Sequence, residues 1–285
     1  MVTLAVPLAA LAIGFEVGEL IADRTIWERG TLMKIVVMGG TGLIGTKLVA
    51  DLGEHGHDVV AAAPNTGVNA LTGDGVAETI AGAAVLVDTS NSPSFEEQAV
   101  LDFFVTSTTN LLAAAKAAGV GHYVALSVVG TERLAESPYF RAKIAQEDLI
   151  PHSGLPYTIV HATQFFEFVA SIADSATVNG EVRLSHAGIQ PMAAADVASG
   201  VARAAEGQAR NGMVEVAGPE RWGLDDLVRT GLEFRGDERR FVTDPAARYF
   251  GALLGPDTLL PGPEAQLAET RFEEWLPENP VPSRH

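Results

Sequence analysis

Apolar positions along the chain alternate between short continuous runs and longer stretches with helical spacing. The continuous runs are rich in β-branched residues and predict buried strands, whereas the spaced stretches predict helices. Because strands and helices alternate, the order predicts right-handed βαβ units and a doubly wound parallel sheet with helices on both faces. The predicted strands cover 34–38, 58–63, 84–88, 122–127 and 157–160, and the predicted helices cover 46–54, 94–118 and a segment beginning near Tyr139.

The pattern is weaker in the C-terminal part of the chain. We expect residues 34–285 to form one domain with a small C-terminal substrate lobe, drawn mainly from 161–285. The acidic stretch 273–278 is expected to be a solvated terminal segment that Trp275 anchors. The other elements predicted here are strands over 182–185 and 213–217, a helix from Asp196 as its cap to Ala205, and a helix over 224–232.

Residues 1–33 differ from the rest of the chain. Their apolar run, Val2–Phe15, is too short for a comfortable membrane span, contains Pro7 and lacks the basic start of a secretory signal. Met33 stands directly before the first predicted strand. We therefore interpret 1–33 as an N-terminal extension explained most simply by a misassigned start site, with a functional anchor as the alternative.

Composition excludes several classes of function. The 285 residues include no cysteine, which removes disulfides, thiolate metal sites and thiol nucleophiles together. The net charge of -17 argues against binding to nucleic acid or to anionic membranes, because it repels phosphates. No histidine stands at a convincing metal-ligand spacing from a carboxylate, so we expect no metal site. We predict a cytoplasmic protein that acts on a small-molecule substrate.

A glycine-rich turn between the first strand and the first helix is the strongest chemical signal. The segment 38–45, MGGTGLIG, places glycines where a chain must turn tightly and let its backbone approach a pyrophosphate. The helix that follows offers its N-terminal amide groups to phosphates. This context favours dinucleotide binding over a purely structural turn. The predicted cofactor contacts here are Gly39, Gly40, Thr41, Gly42, Leu43, Ile44 and Gly45.

The end of the second strand bears on which dinucleotide is bound. NAD sites usually place an acidic residue there to hold the ribose hydroxyls. Residues 61–67, AAAPNTG, contain neither an acid nor an arginine, and Asn65 and Thr66 offer hydrogen bonds to a 2′-phosphate. We therefore predict NADP as the cofactor, with NAD as the alternative. A simple surface turn would have the same composition.

Polar residues also follow other strand ends, where ligands bind in sheets of this kind. Thr89 and Asn91 are predicted to line the adenosine end of the cofactor, although a polar turn before a helix would contain the same residues. Ser127 is predicted to lie near the nicotinamide. An apolar pocket with a few polar groups suits a small molecule, although the phenylalanines suit a core equally well. The predicted substrate contacts are Thr163, Gln164, Phe165 and Phe166.

Five sequence motifs occur in order along the chain: GGTGLIG, ALSVVG, SPYFRAK, GLPYTIVHATQFFEF and IQPMAAADV. Together they resemble the atypical short-chain dehydrogenase/reductases of the NmrA-like, NAD(P)-binding group, and the resemblance covers about 33–276. It implies a Rossmann fold whose smaller C-terminal lobe closes over the substrate. Some such relatives reduce quinones or small carbonyl and enone compounds with NADPH, whereas others sense the cofactor and regulate a partner.

Within the segment SPYFRAK, the resemblance implies a catalytic pair. Catalytic short-chain dehydrogenases use a Tyr-x-x-x-Lys pair and an upstream serine, which correspond here to Tyr139, Lys143 and Ser127. The spacing puts both side chains on one helix face, where the lysine would lower the pKa of the tyrosine and hold the nicotinamide ribose. An ordinary helix surface is the alternative. Many NmrA-like relatives lack the tyrosine, and His161 stands where they often have arginine.

Three functions are compatible with these motifs. The leading hypothesis is NAD(P)H-dependent reduction of a small carbonyl or quinone-like compound, with Ser127 bonded to the substrate oxygen and Tyr139 as the proton donor. The second is a non-catalytic, NADP(H)-sensing regulator that binds a protein partner. The third is a sugar-nucleotide epimerase or dehydratase that uses a bound cofactor transiently.

Overall fold

The structure is a computed structural model, and it describes residues 32–279. The N-terminal extension inferred from the sequence lies outside the described residues except for its last two positions. The helices are α1 (Leu43–Glu54), α2 (Val76–Ile80), α3 (Glu97–Ala118), α4 (Pro138–Leu149), α5 (Val169–Ser175), α6 (Ala194–Glu206), α7 (Leu224–Phe234) and α8 (Phe272–Glu278). The strands are β1 (Lys34–Met38), β2 (Asp58–Ala62), β3 (Val85–Asp88), β4 (His122–Val128), β5 (Tyr157–Ala162), β6 (Thr177–Val178), β7 (Glu181–Leu184), β8 (Gly188–Ile189), β9 (Gly212–Ala217), β10 (Trp222–Gly223), β11 (Arg240–Thr243), β12 (Arg248–Tyr249), β13 (Ala252–Leu253) and β14 (Gln266–Leu267).

The main sheet contains seven strands in the order β14-β9-β5-β4-β3-β1-β2. Every neighbouring pair is parallel, and Val36 of β1 lies opposite Val60 of β2 and Leu86 of β3. The strand order reverses at β1, so the carboxyl ends of β1 and β3 flank the crevice where ligands bind in open α/β sheets. The doubly wound parallel sheet predicted from the sequence is confirmed.

Helices cover both faces of this sheet. Alternate side chains of β1 point to opposite faces. Ile35 and Val37 pack with α1 and α6, whereas Val36 and Met38 pack with α2 and α3. All four side chains are buried, as expected for a central parallel strand covered on both sides. The crevice at the end of β1 therefore stands on a well-packed apolar base.

A separate apolar cluster organises the C-terminal lobe. It includes Phe166, Leu227 and Phe272, and it takes further residues from the small strands β7, β8, β12 and β13. The lobe is not continuous in sequence, because β9 and β14 join the edge of the main sheet and α6 packs on its face. No helix within residues 32–279 combines the length and the apolar character of a membrane span.

The start of helix α6 differs from the sequence prediction. Asp196 does not cap the helix but lies in its first turn, since the helix begins at Ala194. The N–H of Ala194 instead donates to the carboxylate of Glu167 at 3.1 Å. An acidic residue in the first turn is favourable near the positive end of the helix dipole, and in a sequence it resembles a cap.

The C-terminal segment 273–278 is not the solvated tail that its charge predicts. It belongs to helix α8, which buries Phe272 and Leu276 as well as Trp275. The ring of Trp275 lies 5.5 Å from that of Phe166, measured between centroids. The glutamates lie on the outer face of the helix, and its apolar face packs against the C-terminal lobe. The sequence prediction gave weight to the charges and missed the apolar face.

Candidate functional site

The glycine-rich turn lies at the carboxyl end of β1 and leads directly into α1. Gly39 has a φ of 77°, and a Cβ built on it would lie 2.8 Å from the backbone of Thr89 and Ser90 beyond β3. A Cβ on Gly45 would lie 2.1 Å from the carbonyl oxygen of Gly39. Both positions exclude a side chain, so the turn has the close backbone packing that a pyrophosphate cradle needs.

The first turn of α1 presents backbone rather than side chains to a ligand. Thr41, Gly42 and Leu43 are exposed, whereas the side chain of Ile44 is buried in the core beneath the helix. The first N–H groups of a helix have no partner within it, and they stand at the positive end of the helix dipole. This turn therefore suits an anionic phosphate group.

A hydrogen bond joins the glycine turn to the loop after β2. The hydroxyl of Thr41 donates to the amide oxygen of Asn65 at 3.0 Å. Thr66 has a local role instead, since its hydroxyl donates to the carbonyl of Ala63 and accepts from the Ala63 N–H, both at 2.9 Å. Of the two residues predicted to bond a 2′-phosphate, Asn65 thus lies beside the glycine turn, whereas Thr66 stabilises the short turn 64–66.

The two residues predicted after β3 also have different surroundings. The hydroxyl of Thr89 donates to the carbonyl of Met38 at 2.9 Å and ties the end of β3 to the end of β1. Asn91 is exposed, and its amide oxygen accepts a hydrogen bond of 3.2 Å from the phenol of Tyr139. Thr89 therefore shapes the crevice, whereas Asn91 connects the crevice to helix α4.

The ring of Tyr139 is half-buried among phenylalanines. It lies 5.7 Å from the ring of Phe95 and 5.9 Å from that of Phe104, measured between centroids. Burial raises the pKa of Tyr139 to about 12, which is opposite to the lowering expected from Lys143. The phenol therefore keeps its proton at neutral pH.

Lys143 lies one helical turn after Tyr139 and is only 2% exposed. Its ammonium group donates to the carbonyl of Leu126 at 2.9 Å and to the amide oxygen of Gln146. It also lies 4.6 Å from the centroid of the Phe104 ring. Burial lowers the pKa of Lys143 to about 8. The Tyr139 and Lys143 side chains thus share the Phe104 ring, but within residues 32–279 no hydrogen bond joins them directly.

This geometry agrees with the comparison to known families. The model of a family described as NAD(P)H-binding matches residues 39–207, more than half of the chain. The match includes the glycine turn, Asn91, Tyr139 and Lys143. The chain belongs to this NAD(P)H-binding family.

One curated relative is similar in sequence, and two solved structures are similar in fold. Photosystem II assembly factor Ycf39 of Cyanophora paradoxa is 25% identical over 235 residues, which cover 75% of this chain and 73% of that protein. A short-chain dehydrogenase/reductase superfamily protein of Agrobacterium tumefaciens, solved with bound NAD, has a TM-score of 0.63 at 18% identity, over 86% of this chain and 95% of that one. UDP-glucose 4-epimerase of Thermus thermophilus, in complex with NAD, has a TM-score of 0.59 at 16% identity, over 80% and 92%. The predicted NAD(P)-binding family and the Rossmann-like fold are confirmed.

In this NAD(P)H-binding protein, Lys143 is surrounded by a buried polar network. The sequence pattern did not predict this network. Asp88, at the end of β3, accepts hydrogen bonds of 3.2 Å from the phenol of Tyr123 and from the amide of Gln146. Gln146 in turn accepts from Lys143. Burial, together with Asp88, raises the pKa of Tyr123 well above its ordinary value. The sequence did contain a signal for it, because Asp88 ends an otherwise apolar strand and a buried acid needs hydrogen-bond partners.

Ser127 lies beneath helix α4 rather than beside the phenol of Tyr139. Its hydroxyl donates to one carboxylate oxygen of Glu147, and the other oxygen lies 3.1 Å from Nε2 of His161. No hydrogen bond links Ser127 to Tyr139 or Lys143 in the described part of the chain. Glu147 was missed in the sequence, although it follows Lys143 by the same four-residue step that separates Lys143 from Tyr139.

The loop after β5 contains polar atoms that lack partners. Gln164 is 7% exposed, and neither its amide oxygen nor its amide nitrogen has a hydrogen-bond partner among the described residues. The hydroxyl of Thr163 is buried and is likewise unpartnered. Buried polar groups are normally paired, so these atoms are candidates for contact with a ligand or an ordered water.

The two phenylalanines of this loop are placed differently. Phe165 is partly exposed and stacks on Phe168, with 5.3 Å between the ring centroids. Phe166 is buried in the core of the C-terminal lobe, 5.0 Å from the ring of Phe272. A substrate contact by Phe166 is not supported by this placement, because its neighbours in the core already enclose the ring.

Among residues 32–279, the side chains of His186, Asp225 and Asp226 lie close enough together to hold a metal ion. The sequence had suggested no such spacing. The carboxylate of Asp225 already contacts Nδ1 of His186 at 2.7 Å and accepts from the hydroxyl of Thr243 at 2.6 Å. The bond to Thr243 joins helix α7 to strand β11, and the two contacts provide partners for the buried carboxylate of Asp225.

Proposed function

We propose that the protein is an NAD(P)H-dependent oxidoreductase that transfers hydride to a small carbonyl or quinone-like substrate. The observation that carries this proposal is the phenol of Tyr139. It is bonded to Asn91 in the loop after β3, at the edge where the nucleotide crevice opens, and it holds its proton at neutral pH. A protonated phenol at that edge suits the delivery of a proton to a carbonyl oxygen.

The residues of the glycine turn fit a dinucleotide, since Gly39 and Gly45 pack against neighbouring backbone too closely for any Cβ and so keep the turn tight. When bound, the cofactor supplies the hydride. Tyr139 gives the proton to the substrate oxygen, and Lys143 supplies positive charge beneath the helix. The hydroxyl of Ser127 donates to Glu147, so Ser127 has no direct part in this step.

NADP(H) is the cofactor that we propose. Asn65, an uncharged side chain, stands beside the phosphate turn where NAD sites usually place an acid. Its amide nitrogen has no partner within residues 32–279, so it is available to a 2′-phosphate. The absence of a carboxylate at this position supports NADP(H), because a carboxylate would repel that phosphate.

The unpartnered atoms of Thr163 and Gln164 support a substrate with its own polar groups. A glutamine amide offers both a donor and an acceptor, which matches a carbonyl compound that also has a hydroxyl or amide group. The nearby stack of Phe165 on Phe168 supports a planar apolar part in the same ligand. A hydroxylated quinone or aromatic ketone combines these features.

A cytoplasmic location and the lack of nucleic-acid and membrane partners form part of the proposal. The net charge of -17 supports the lack of nucleic-acid and membrane partners, because it disfavours contact with phosphate polymers and anionic lipid surfaces. The lack of cysteine, and therefore of disulfides, is consistent with a reducing compartment.

A regulatory role is the second candidate, in which NADP(H) binding without turnover controls a protein partner. The specific observation in its favour is that Ser127 and Lys143 are both bonded within the protein interior. The curated relative named as a photosystem II assembly factor supports it too, since an assembly factor acts on other proteins.

A titration of the purified protein with NADPH and NADH, followed by a turnover screen, tests the proposal. The screen includes quinones, aromatic ketones, aldehydes and a sugar nucleotide. We expect tight NADPH binding and oxidation of NADPH with a quinone or ketone. Binding without oxidation, together with a protein recovered by pull-down only when NADPH is present, would favour the regulatory role. Conversion of the sugar nucleotide would contradict both.

A further inference from the structure

We propose that Phe95 and Phe250 hold the flat ring of the substrate beside the phenol of Tyr139, and thereby select aromatic and quinone rings over aliphatic carbonyl compounds. Both side chains are exposed, Phe95 by 62% and Phe250 by 38%. They come from distant parts of the chain, the loop between β3 and α3 and the turn between β12 and β13. The inference deepens the proposed function and rests on it for turnover, but not for ligand binding.

The ring of Phe95 contacts the rings of both Tyr139 and Phe250. Its centroid lies 5.7 Å from that of Tyr139 and 6.4 Å from that of Phe250, and the planes of the two phenylalanine rings differ by only 24°. Aromatic pairs prefer centroid distances of about 4.5–7 Å, so the two phenylalanines contact each other loosely. We call Phe95, Tyr139 and Phe250 the aromatic surface. A flat ring can stack on it as these side chains stack on one another.

The loop that contains Phe95 also contains the partner of the phenol. Asn91, four residues before Phe95, accepts the hydrogen bond of 3.2 Å from Tyr139. The hydroxyl of the buried Ser92 donates to the carbonyl of Ser94 at 2.8 Å, which fixes the loop between these residues. A ring bound on Phe95 would therefore have the phenol at its edge.

Phe250 has a backbone conformation that bulky side chains rarely adopt. Strands β12 and β13 pair on either side of a two-residue turn, in which φ is 46° at Phe250 and 93° at Gly251. A positive φ at both residues is the pattern of the type I′ turn, which favours asparagine followed by glycine. Phenylalanine at the first of these positions has a steric cost, because its Cβ crowds the backbone.

A second hairpin in the chain has the usual sequence for this turn. Between β6 and β7, Asn179 and Gly180 have φ values of 51° and 82°. Within residues 32–279, the non-glycine residues with positive φ are Asn179, Asn211 and Phe250, so Phe250 differs from the others in having a large apolar side chain. Strain of this kind concentrates at functional sites. The exposed ring of Phe250 contributes to a surface and not to the core, so core packing does not explain the strain.

The hairpin that presents Phe250 is attached firmly to the protein. Tyr249, the residue before it, is buried in the core of the C-terminal lobe, and the two rings meet edge to face at 4.8 Å. A Cβ built on Gly251 would lie 4.0 Å from Cδ of Pro138, the first residue of α4. The position of Phe250 near Tyr139 is therefore set by packing on both the lobe and the helix.

The stack of Phe165 on Phe168 is a second place where a ring could bind. Among residues 32–279, no ring contact joins this stack to the aromatic surface. The phenol that donates the proton belongs to the aromatic surface, so the reacting ring is bound there. The stack remains available to the rest of the substrate.

A comparison of two substrates tests this assignment. The kcat and KM with NADPH are measured for naphthoquinone, which is flat, and for cyclohexanecarbaldehyde, which is not. Phe95→Leu and Phe250→Asn should each raise the KM for naphthoquinone by about three- to tenfold, the contribution of one aromatic contact, and leave that for the aldehyde within about twofold. Phe234→Leu is the control, because Phe234 is 50% exposed at the end of α7 and should change neither value.

Phe250→Asn also separates binding from stability. Asparagine before glycine suits the turn, so the Tm should not fall while the affinity for a flat ring does. A variant that keeps both its Tm and its affinity for the ring would show that the phenylalanine has no role in binding. Phe95→Leu supplies the same comparison outside the turn.

Naphthol provides a readout without turnover, since it is fluorescent and is not reduced by NADPH. Its Kd is measured by fluorescence titration of the protein in the presence of NADP. We expect the wild type and Phe234→Leu to bind naphthol equally well, and Phe95→Leu and Phe250→Asn to bind it about three- to tenfold more weakly.

The outcomes distinguish this inference from the proposed function. Equal binding of naphthol by the wild type, Phe95→Leu and Phe250→Asn would overturn the inference, even if naphthoquinone is reduced. Weaker binding in both variants, with no oxidation of NADPH by any compound, would remove the oxidoreductase function and leave the aromatic surface as a binding site.

Two further results would assign the rings differently. A loss of naphthol affinity in Phe168→Leu alone would place the flat ring on the stack with Phe165 and overturn the inference. Light scattering tests whether a second copy of the chain covers the aromatic surface. A wild-type dimer that both Phe95→Leu and Phe250→Asn dissociate would overturn the inference as well.

Discussion

Tyr139 and Asn91 are joined by a hydrogen bond of 3.2 Å from the phenol to the amide oxygen, which connects helix α4 to the loop after β3. The two residues are 48 positions apart and come from separate βαβ units. The bond orients the phenol at the edge of the nucleotide crevice. The same phenol is kept protonated by the apolar rings around it.

Tyr139→Phe should therefore separate binding from chemistry. The substitution keeps the ring contacts with Phe95 and Phe104 but removes the proton and the bond to Asn91. We expect turnover to fall by about 10²- to 10⁴-fold, the usual contribution of a positioned acid, with the Kd for NADPH nearly unchanged. Stopped-flow oxidation of NADPH and a fluorescence titration measure the two quantities.

Tyr157→Phe is the matched control for that experiment. Tyr157 begins strand β5, so it lies at the amino ends of the strands, whereas the crevice lies at their carboxyl ends. The substitution removes the same hydroxyl group as Tyr139→Phe does. It should leave turnover and NADPH binding as in the wild type. Equal losses in both variants would show that Tyr139 has no special role.

Gly45→Ala should disturb both the fold and the cofactor site. The added Cβ would lie 2.1 Å from the carbonyl oxygen of Gly39, so the turn must shift. We expect the free energy of unfolding to fall by about 1–3 kcal/mol, the cost of overpacking, and the affinity for NADPH to fall with it. Denaturant unfolding and a binding titration provide the measurements.

Gly53→Ala tests the same substitution in the same helix without the clash. A Cβ at Gly53 meets nothing within 4 Å. It should raise the free energy of unfolding by about 0.5–1 kcal/mol, because alanine loses less backbone entropy in a helix. If Gly45→Ala behaves like Gly53→Ala, the close packing of the turn does not matter.

Asn65→Asp should shift the cofactor preference. An aspartate beside Thr41 would hold ribose hydroxyls and repel a 2′-phosphate. We expect the ratio of NADPH to NADH affinity to fall by about tenfold or more, equivalent to about 1.4 kcal/mol. Asn211→Asp adds the same charge at the far edge of the sheet and should leave the ratio unchanged. A wild type that already prefers NADH would contradict the predicted NADP specificity.

Local patterns predicted most of the sheet, because a central parallel strand is a continuous apolar run and its helices have a clear period. Residues 34–38 and 122–127 were found within one residue of their true ends. The glycine turn could also be predicted, since the requirement for glycine at Gly39 and Gly45 comes mainly from the local backbone conformation. Tertiary contacts explain the misses. The partnership of Glu147 with His161 depends on the packing of α4 over β4 and β5, which no local window contains.

The same reason explains why the pKa of Tyr139 shifts upward and not downward as predicted. Helical spacing correctly put both residues on one face of α4, but it did not reveal the buried environment around them. The phenol lies among aromatic rings, and the ammonium group is bonded to Leu126 and Gln146. Burial disfavours the charged form of each group, so the pKa of the tyrosine rises and that of the lysine falls.

The lowered pKa of Lys143 predicts a change in cofactor affinity above neutral pH. Burial lowers the pKa from 10.5 to about 8, although Asp88 and Glu147 oppose the change. Lys143 is therefore charged below about pH 8 and neutral above it. If its charge contributes to NADPH binding, the Kd should rise by up to about tenfold per pH unit above pH 8, since one proton is linked to binding. A fluorescence titration from about pH 6.5 to 9.5 measures this.

Lys143→Met removes the linked proton and should give a weaker Kd that no longer changes with pH in that range. Lys116→Met is the control, because the ammonium group of Lys116 donates to the Ser153 carbonyl on the surface and its loss should leave the profile intact.

Stability gives an independent check of the sign. Between about pH 8 and 10.5 the unfolded chain holds the lysine proton more tightly than the folded protein does. The contribution of Lys143 to the unfolding free energy must therefore rise with pH across that window and be absent in Lys143→Met, and a flat difference between the two proteins would show that Lys143 is not buried as a charged group.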